Sequence, residues 1–436
     1  MQYKQVFNNA KWIIVCRIFQ SLLQLIVGML CARYLGPSNY GLINYANAIV
    51  NFALPIMRLG LNATLVNELI KSPEKEGEIM GTSLFMNVAA SLVCIFGISI
   101  FVSIINFGEI ETILVCIIFS ISLLFSALEM IQYWFQYKFL SKYSSIVMLL
   151  AYVIISIYKI FLLVTSKSVY WFAFVNSIDY GIISIVLIAL YFKFGAQAFS
   201  FSFERAKAMF NNSKHYILSA LMVMVFHCTD QIMISTMVGE AENGYYSAAI
   251  TCVAIVQFVY NAIIDSFRPM ILSNKNDNAP EYESNLSRLY CIIIYLCLLQ
   301  SICFTVFAPL IVKILYGTQY ISSISILRVL VWYLAFSYMG AVRNIWILAE
   351  GKQNYLWIIN LTGAILNVIL NAILIPFFGA IGAAVASLFT QFVANFILGF
   401  IIKPIKQNNV LLLKGFNPKF LIIEWKNFFK VLTTKN

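Results

Sequence analysis

Apolar runs long enough to cross a bilayer, about 20 residues each, recur along the whole chain with only short polar breaks between them. About twelve can be drawn, near residues 12–32, 41–66, 79–105, 110–135, 145–165, 169–192, 216–238, 245–270, 289–315, 323–349, 355–378 and 380–403. No large extramembrane domain fits between them, so the expected fold is an all-α polytopic membrane protein. The first run is too long and too often interrupted by polar residues for a cleaved leader, and no small-residue cleavage pattern follows it. It is expected to remain in the mature chain.

Two short phrases give these runs an order. "FNNAK" stands at Phe7–Lys11 and "FNNSK" at Phe210–Lys214, an offset of about 203 positions. The same offset, without gaps, brings Gly36 onto Gly239, Gly41 onto Gly244 and Ala46 onto Ala249. A register kept over about forty residues predicts a duplication. Six runs separate the copies, and an even number returns the chain to the same side, so two parallel six-helix repeats are expected. The organisation that follows is an N-terminal lobe at 1–193, a cytoplasmic amphipathic linker at 194–215, a C-terminal lobe at 216–403 and a basic tail at 404–436. In that tail "NPKFLIIEWKNFFKVL" sets Leu421, Trp425, Phe428 and Leu432 on one face and Lys419, Lys426 and Lys430 on another, the pattern of an interfacial helix on an anionic leaflet.

Composition agrees, with 61% hydrophobic and 11% charged residues. The net charge of +11 follows topology rather than nucleic acid. With the N-terminus inside, 21 of the 29 lysines and arginines fall on the inner side, five within the runs, and only Arg33, Lys167 and Lys313 outside. The positive-inside rule then places both termini in the cytoplasm. All nine cysteines lie within runs, without a CxxC pair or a histidine at metal spacing, so neither disulfide nor metal is implied. No cofactor is expected, and no Walker A pattern is present.

Polar groups are costly in hydrocarbon, so rows of them at helical spacing should face the bundle interior or a watery cavity. Asn44, Asn47, Asn51, Arg58 and Asn62 form one row in the second run, and Arg17, Gln20 and Gln24 another in the first. In the second half, Gln257, Asn261, Asp265 and Arg268 form a third row, Asn360, Asn367 and Asn371 a fourth, and Ser387, Gln391 and Asn395 a fifth. Single amides could serve only as interhelical hydrogen bonds. Five rows together favour a shared hydrophilic cavity.

Arg17, Arg58, Lys159, Arg328 and Arg343 are the cations within runs; snorkelling is the alternative reading for Arg343 and Arg328. Amides match sugar hydroxyls and the guanidinium fork matches phosphate oxygens, so the pattern points to an anionic glycan carrier. His227 and Asp230, one turn apart, could couple to an ion or serve as a structural pair. Asp265 is a further coupling candidate, and Asp179 and Glu129 are secondary ones.

The opening "FNNAKWIIVCRIFQSLLQLIVGMLCARYLGPSNYGLINYANAIVNF", the mid-chain "DQIMISTMVGEAENGYYSAA" and the late "LIPFFGAIGAAVAS" resemble the Wzx-type O-antigen and polysaccharide flippases. These belong to the superfamily of multidrug, oligosaccharidyl-lipid and polysaccharide exporters, and the resemblance covers nearly the whole chain. It implies a V-shaped, two-lobed bundle in a bacterial inner membrane, alternately open to either side. The implied cargo is an undecaprenyl-diphosphate-linked repeat unit, flipped before polymerisation. Membrane lipids, an O-antigen polymerase and a chain-length regulator are the implied partners. Related lipid II flippases use a cationic cavity, and Arg17 and Arg58 occupy comparable places near the start of this chain.

A multidrug exporter of the same superfamily is the nearest rival, but would more often carry carboxylates for cationic drugs. A membrane glycosyltransferase or O-antigen polymerase would need an exposed acid or a sizeable outer loop, whereas the first outer loop is only "RYLGPSNYG".

Overall fold

The computed structural model describes residues 2–195, 197–277 and 279–419, without the side chains of 2–15, 17, 18, 274, 276, 277 and 279. The predicted interfacial helix falls mostly on 420–436, outside the described residues. The helices are α1 (Gln2–Met57), α2 (Leu61–Lys71), α3 (Glu76–Ile105), α4 (Ile110–Ser120), α5 (Ser122–Leu128), α6 (Gln132–Tyr137), α7 (Ser141–Val164) and α8 (Val169–Lys193). They continue as α9 (Phe203–Val238), α10 (Glu240–Ala254), α11 (Gln257–Asp277), α12 (Ala279–Leu315), α13 (Ser323–Ala349), α14 (Asn354–Phe392), α15 (Leu398–Ile401) and α16 (Lys406–Gly415). No strand occurs among the described residues.

The chain is a multi-pass membrane protein. Among the described residues nine helical stretches are long and apolar enough to cross a bilayer, and the bent pair Glu240–Ala254 with Gln257–Ser273 makes ten. Two of the nine, Phe19–Lys71 and Asn354–Ile401, run 53 and 48 residues. At 1.5 Å per residue each would span roughly 70–80 Å, over twice the hydrocarbon thickness. Each is broken inside by a non-helical glycine, Gly36 in the first and Gly379 in the second.

Packing groups the chain into two compact units, residues 1–244 and 245–436. In the first, the register-related glycines share one backbone state: Gly36 has φ 70° and ψ 172°, and Gly239 has φ 104° and ψ 171°. That region is open to glycine almost alone. The helices that follow these breaks meet backbone to backbone. A Cβ on Gly41 would overlap the carbonyl oxygen of Glu240, and one on Gly244 would overlap that of Pro37. Pro37 and Glu240 are themselves about 203 positions apart, so the contact is self-complementary, as at a two-fold interface. Asn243 Nδ2 donates to the Gly41 carbonyl at 2.8 Å, and Thr112 Oγ1 donates to the Glu240 carboxylate at 2.8 Å.

The second predicted run is not one helix. Leu59 (φ 50°) and Gly60 (φ 70°) interrupt it between α1 and α2. Ser213, from the FNNSK phrase, holds the break by donating its hydroxyl to the Leu59 carbonyl at 2.7 Å. Gly60 is needed there because a Cβ would strike the Ser213 carbonyl.

The connection at 194–215 is partly extended and partly helical. Residues 197–202 lie along the start of α3, where Gly77 and Gly81 allow the backbones to approach. Gly77 N donates to Gln197 Oε1 at 3.0 Å, Ser200 N to the Gly77 carbonyl at 3.2 Å, and Ser202 N to Thr82 Oγ1 at 3.1 Å. Ser202 then caps α9 by accepting from Arg205 N, so that helix starts 13 residues before the run drawn at 216–238. In the second unit, α16 packs back on α12 through Tyr290 OH, which donates to Asn408 Oδ1 at 2.9 Å, and through Gly415 against Tyr290.

Candidate functional site

In the first unit, polar chemistry gathers where α1 ends. Arg58 follows the last residue of α1, and its Nη2 lies 3.8 Å from Glu129 Oε2. Glu129 opens a 3-10 turn between α5 and α6, an irregularity of the kind that marks hinges and sites. Its carboxylate is also hydrogen-bonded by the Gln132 side chain. Arg58 remains 29% exposed and Glu129 12%, so the cation is accessible while its counter-ion is nearly enclosed.

Beside this pair lies a cavity of about 220 Å³, lined by Cys16, Gln20, Gln132, Gln136, Ser141, Ser144, Ser145 and Met148. Three amides and three hydroxyls in one cavity can both donate and accept, as recognition of sugar hydroxyls requires. Gln20 belongs to the polar row of the first run. Gln132 and Gln136, at i and i+4, and the "SKYSS" serines carried the signal in the sequence but were not singled out.

The other candidates of this unit are distributed along it. Asn51 Nδ2 donates to Asn47 Oδ1 at 3.2 Å, and Asn44 Nδ2 to the Tyr40 carbonyl at 2.8 Å, so part of this row is spent within its own helix. Asn62 lies beyond the Leu59–Gly60 break, on α2, so the helical spacing that linked it to Asn44, Asn47 and Asn51 does not continue to it. Gln24 is exposed on α1, and the Arg17 side chain lies outside the described residues. Lys159 sits over the Tyr152 ring at 5.9 Å and interacts electrostatically with Asp179 of α8. Asp230 is buried, with His227 as an electrostatic neighbour on α9.

The second unit holds three arrangements. Asn261, Asp265 and Arg268 stay exposed along α11 beyond half-buried Gln257, with Asp265 Oδ1 3.2 Å from Arg268 Nη2. Such an exposed i,i+3 pair gives Asp265 a local partner. Asn371 Nδ2 donates to Asn367 Oδ1 at 3.2 Å and Asn367 Nδ2 to Ser387 Oγ at 3.3 Å, a buried cluster within α14. Gln391 accepts from Asn395.

Arg343 does not snorkel but is enclosed within its unit. It is 2% exposed, and its Nη1 donates to the Ala394 carbonyl at 2.8 Å, inside the π-turn Val393–Ile397. A π-turn displaces a carbonyl from the normal helical ladder, and this guanidinium satisfies it. Arg343→Met should therefore cost about 1–3 kcal/mol by stranding that acceptor, measured as a lower thermal midpoint in detergent. An unchanged midpoint would remove this structural role.

The fold has known counterparts. The lipid II flippase MurJ, in an inward closed conformation, superposes with a TM-score of 0.74 at 16% identity, over 95% of this chain and 92% of that one. An inward-facing multidrug resistance MATE family transporter superposes with a TM-score of 0.69 at 15% identity, over 90% and 95%. In sequence, the capsular polysaccharide biosynthesis protein CapF of Staphylococcus aureus is 22% identical over 400 residues, 89% of this chain and 96% of CapF. Residues 30–325 match the family described as "Polysaccharide biosynthesis protein", in line with the resemblance carried by the N-terminal and mid-chain phrases, and the chain belongs to that family.

Proposed function

We propose that this protein flips lipid-linked oligosaccharide repeat units of a surface polysaccharide across the bacterial inner membrane by alternating access. The observation that carries this reading is the accessible Arg58 guanidinium beside the amide and hydroxyl cavity of Gln20, Gln132, Gln136 and Ser141. A diphosphate takes the fork of Arg58, and the first sugars take the amides. Lys159 adds positive charge along the path, and the sequence pattern assigns Arg17 to it as well. The protein acts as a transporter and not as an enzyme, as its family membership and its fold support.

With the N-terminus inside, Arg58 and the cavity lie in the inner half of the bilayer, where a cytoplasmically assembled headgroup is taken up. Twelve crossings in two parallel repeats are supported by the double-length stretches broken at Gly36 and Gly379, and by the self-complementary contact at Gly41 and Gly244. The undecaprenyl carrier and an O-antigen cargo come from the resemblance. Polymerase and chain-length regulator are then the partners that receive the flipped unit.

The test is the surface-polysaccharide profile of a strain lacking the gene, with and without its restoration. Loss of the long-chain ladder, with complete lipid-linked units accumulating on the cytoplasmic side, is expected. An unchanged ladder, with altered drug susceptibility, would favour the multidrug exporter instead.

A further inference from the structure

An aromatic groove in the second unit, remote in the chain from the Arg58 cavity, has no part in the reading so far. Trp332 and Phe336 of α13 face Val385, Leu388, Phe389 and Phe392 of α14 across a groove of about 390 Å³. Its lining is wholly apolar, and its volume falls in the range of small-ligand sites, roughly 300–1,000 Å³. It extends for about 10 Å along α14, a third of the hydrocarbon thickness, and about 6 Å along α13. Phe336 stacks edge-on to Phe392 at 5.1 Å, and Phe392 lies flat on Phe396 at 5.6 Å, so the rings brace one another. Val385 and Phe389 are 40% and 48% exposed, which leaves the groove open along one side.

One end of this groove is cationic. Arg328 is one helical turn before Trp332, and both side chains are tied to Thr305: Arg328 Nε donates to its carbonyl at 3.3 Å, and Trp332 Nε1 to its Oγ1 at 3.2 Å. Among the described residues no carboxylate pairs with Arg328, and it is exposed. An apolar trough ending in an unneutralised guanidinium complements a molecule with a long hydrocarbon chain joined to a phosphate.

We propose that this groove binds the first isoprene units of the polyprenyl carrier, with Arg328 on its diphosphate. This rests on the reading that the cargo is lipid-linked. On the positive-inside topology Arg328 stands near the outer end of α13, so the site lies in the outer leaflet and holds the carrier after flipping. The Arg58 cavity serves the same headgroup on the inner side.

The probe is a polyprenyl diphosphate carrying a diazirine on an isoprene unit near the diphosphate, photolysed with the full-length protein in phosphatidylcholine nanodiscs. Label is expected on peptides containing Trp332–Phe336 or Val385–Phe392, with unlabelled polyprenyl diphosphate competing and phosphatidylglycerol not. Arg328→Gln should weaken binding of the diphosphate about tenfold or more, with little effect on the uncharged polyprenol. Phe389→Ala, at an exposed position that tolerates truncation, should weaken both. Equal competition by phosphatidylglycerol would make the groove an ordinary phospholipid contact and overturn the proposal. Saturable label elsewhere in the chain would overturn the groove but leave the lipid-linked cargo standing. No saturable label anywhere would overturn both.

Discussion

Replacing Gly41 by alanine will lower the stability of the folded protein by at least about 2 kcal/mol, and Gly244→Ala will do the same. Both residues lie in helical backbone, within α1 and α10, where alanine is otherwise welcome. The cost is therefore steric. The added methyl at Gly41 meets the Glu240 carbonyl, and the one at Gly244 meets the Pro37 carbonyl; neither obstacle is a flexible side chain that can swing away. Either methyl must push the two helices apart. That displacement also stretches the bond from Asn243 to the Gly41 carbonyl.

Because each methyl opens the same contact, the double variant should lose clearly less than the sum of the two single losses, with a coupling of about 0.5–3 kcal/mol. Thermal unfolding of the wild type, both single variants and the double variant in one detergent decides this. Strict additivity would mean that the two glycines report on separate contacts. Stability equal to wild type would mean that the helices are not in backbone contact at this point in the membrane. Surface polysaccharide should fall with the same variants if the proposed alternating access holds, since opening this contact shifts the conformational equilibrium it would depend on.

The glycine pair was legible in the sequence only as a register match; its reciprocal contact required three dimensions. Apolar runs and polar rows are local patterns, so nearly every membrane-length stretch could be drawn from them. The Leu59–Gly60 break could not, because the helical spacing of the polar row runs straight through it and what stabilises it, Ser213, lies 154 residues away. Glu129 was a secondary candidate for the same reason. Its partner Arg58 is on another helix, and no periodicity links positions so far apart. Arg343 read as a cavity cation because a buried arginine and a cavity arginine have one sequence signature. The π-turn at Val393–Ile397, invisible to a 3.6-residue period, supplies the carbonyl that its Nη1 bonds. The helical start of α9 and the packing of α16 on α12 were missed because their polar composition suggested a linker and a tail.

Arg58→Ala is expected to abolish translocation, and a second substitution separates the two reasons it could do so. Removing the guanidinium leaves the Glu129 carboxylate largely enclosed without its cation, at a cost of about 2–3 kcal/mol. That is below the range for fully buried pairs, since Arg58 is 29% exposed and the separation is 3.8 Å. The single variant therefore loses stability as well as transport. Glu129→Gln removes the stranded charge and keeps an amide that Gln132 can still bond. The Arg58→Ala/Glu129→Gln protein should then recover most of the lost stability, read as its thermal midpoint, while the long-chain polysaccharide ladder stays absent. Full recovery of the ladder in the double variant would reduce Arg58 to a structural partner of Glu129 and remove it from the substrate path. Arg58→Lys sharpens the distinction: lysine can neutralise Glu129 but lacks the planar fork that fits phosphate oxygens. Near-normal stability with transport reduced about tenfold or more would place the requirement on the geometry of the guanidinium, as a diphosphate ligand demands.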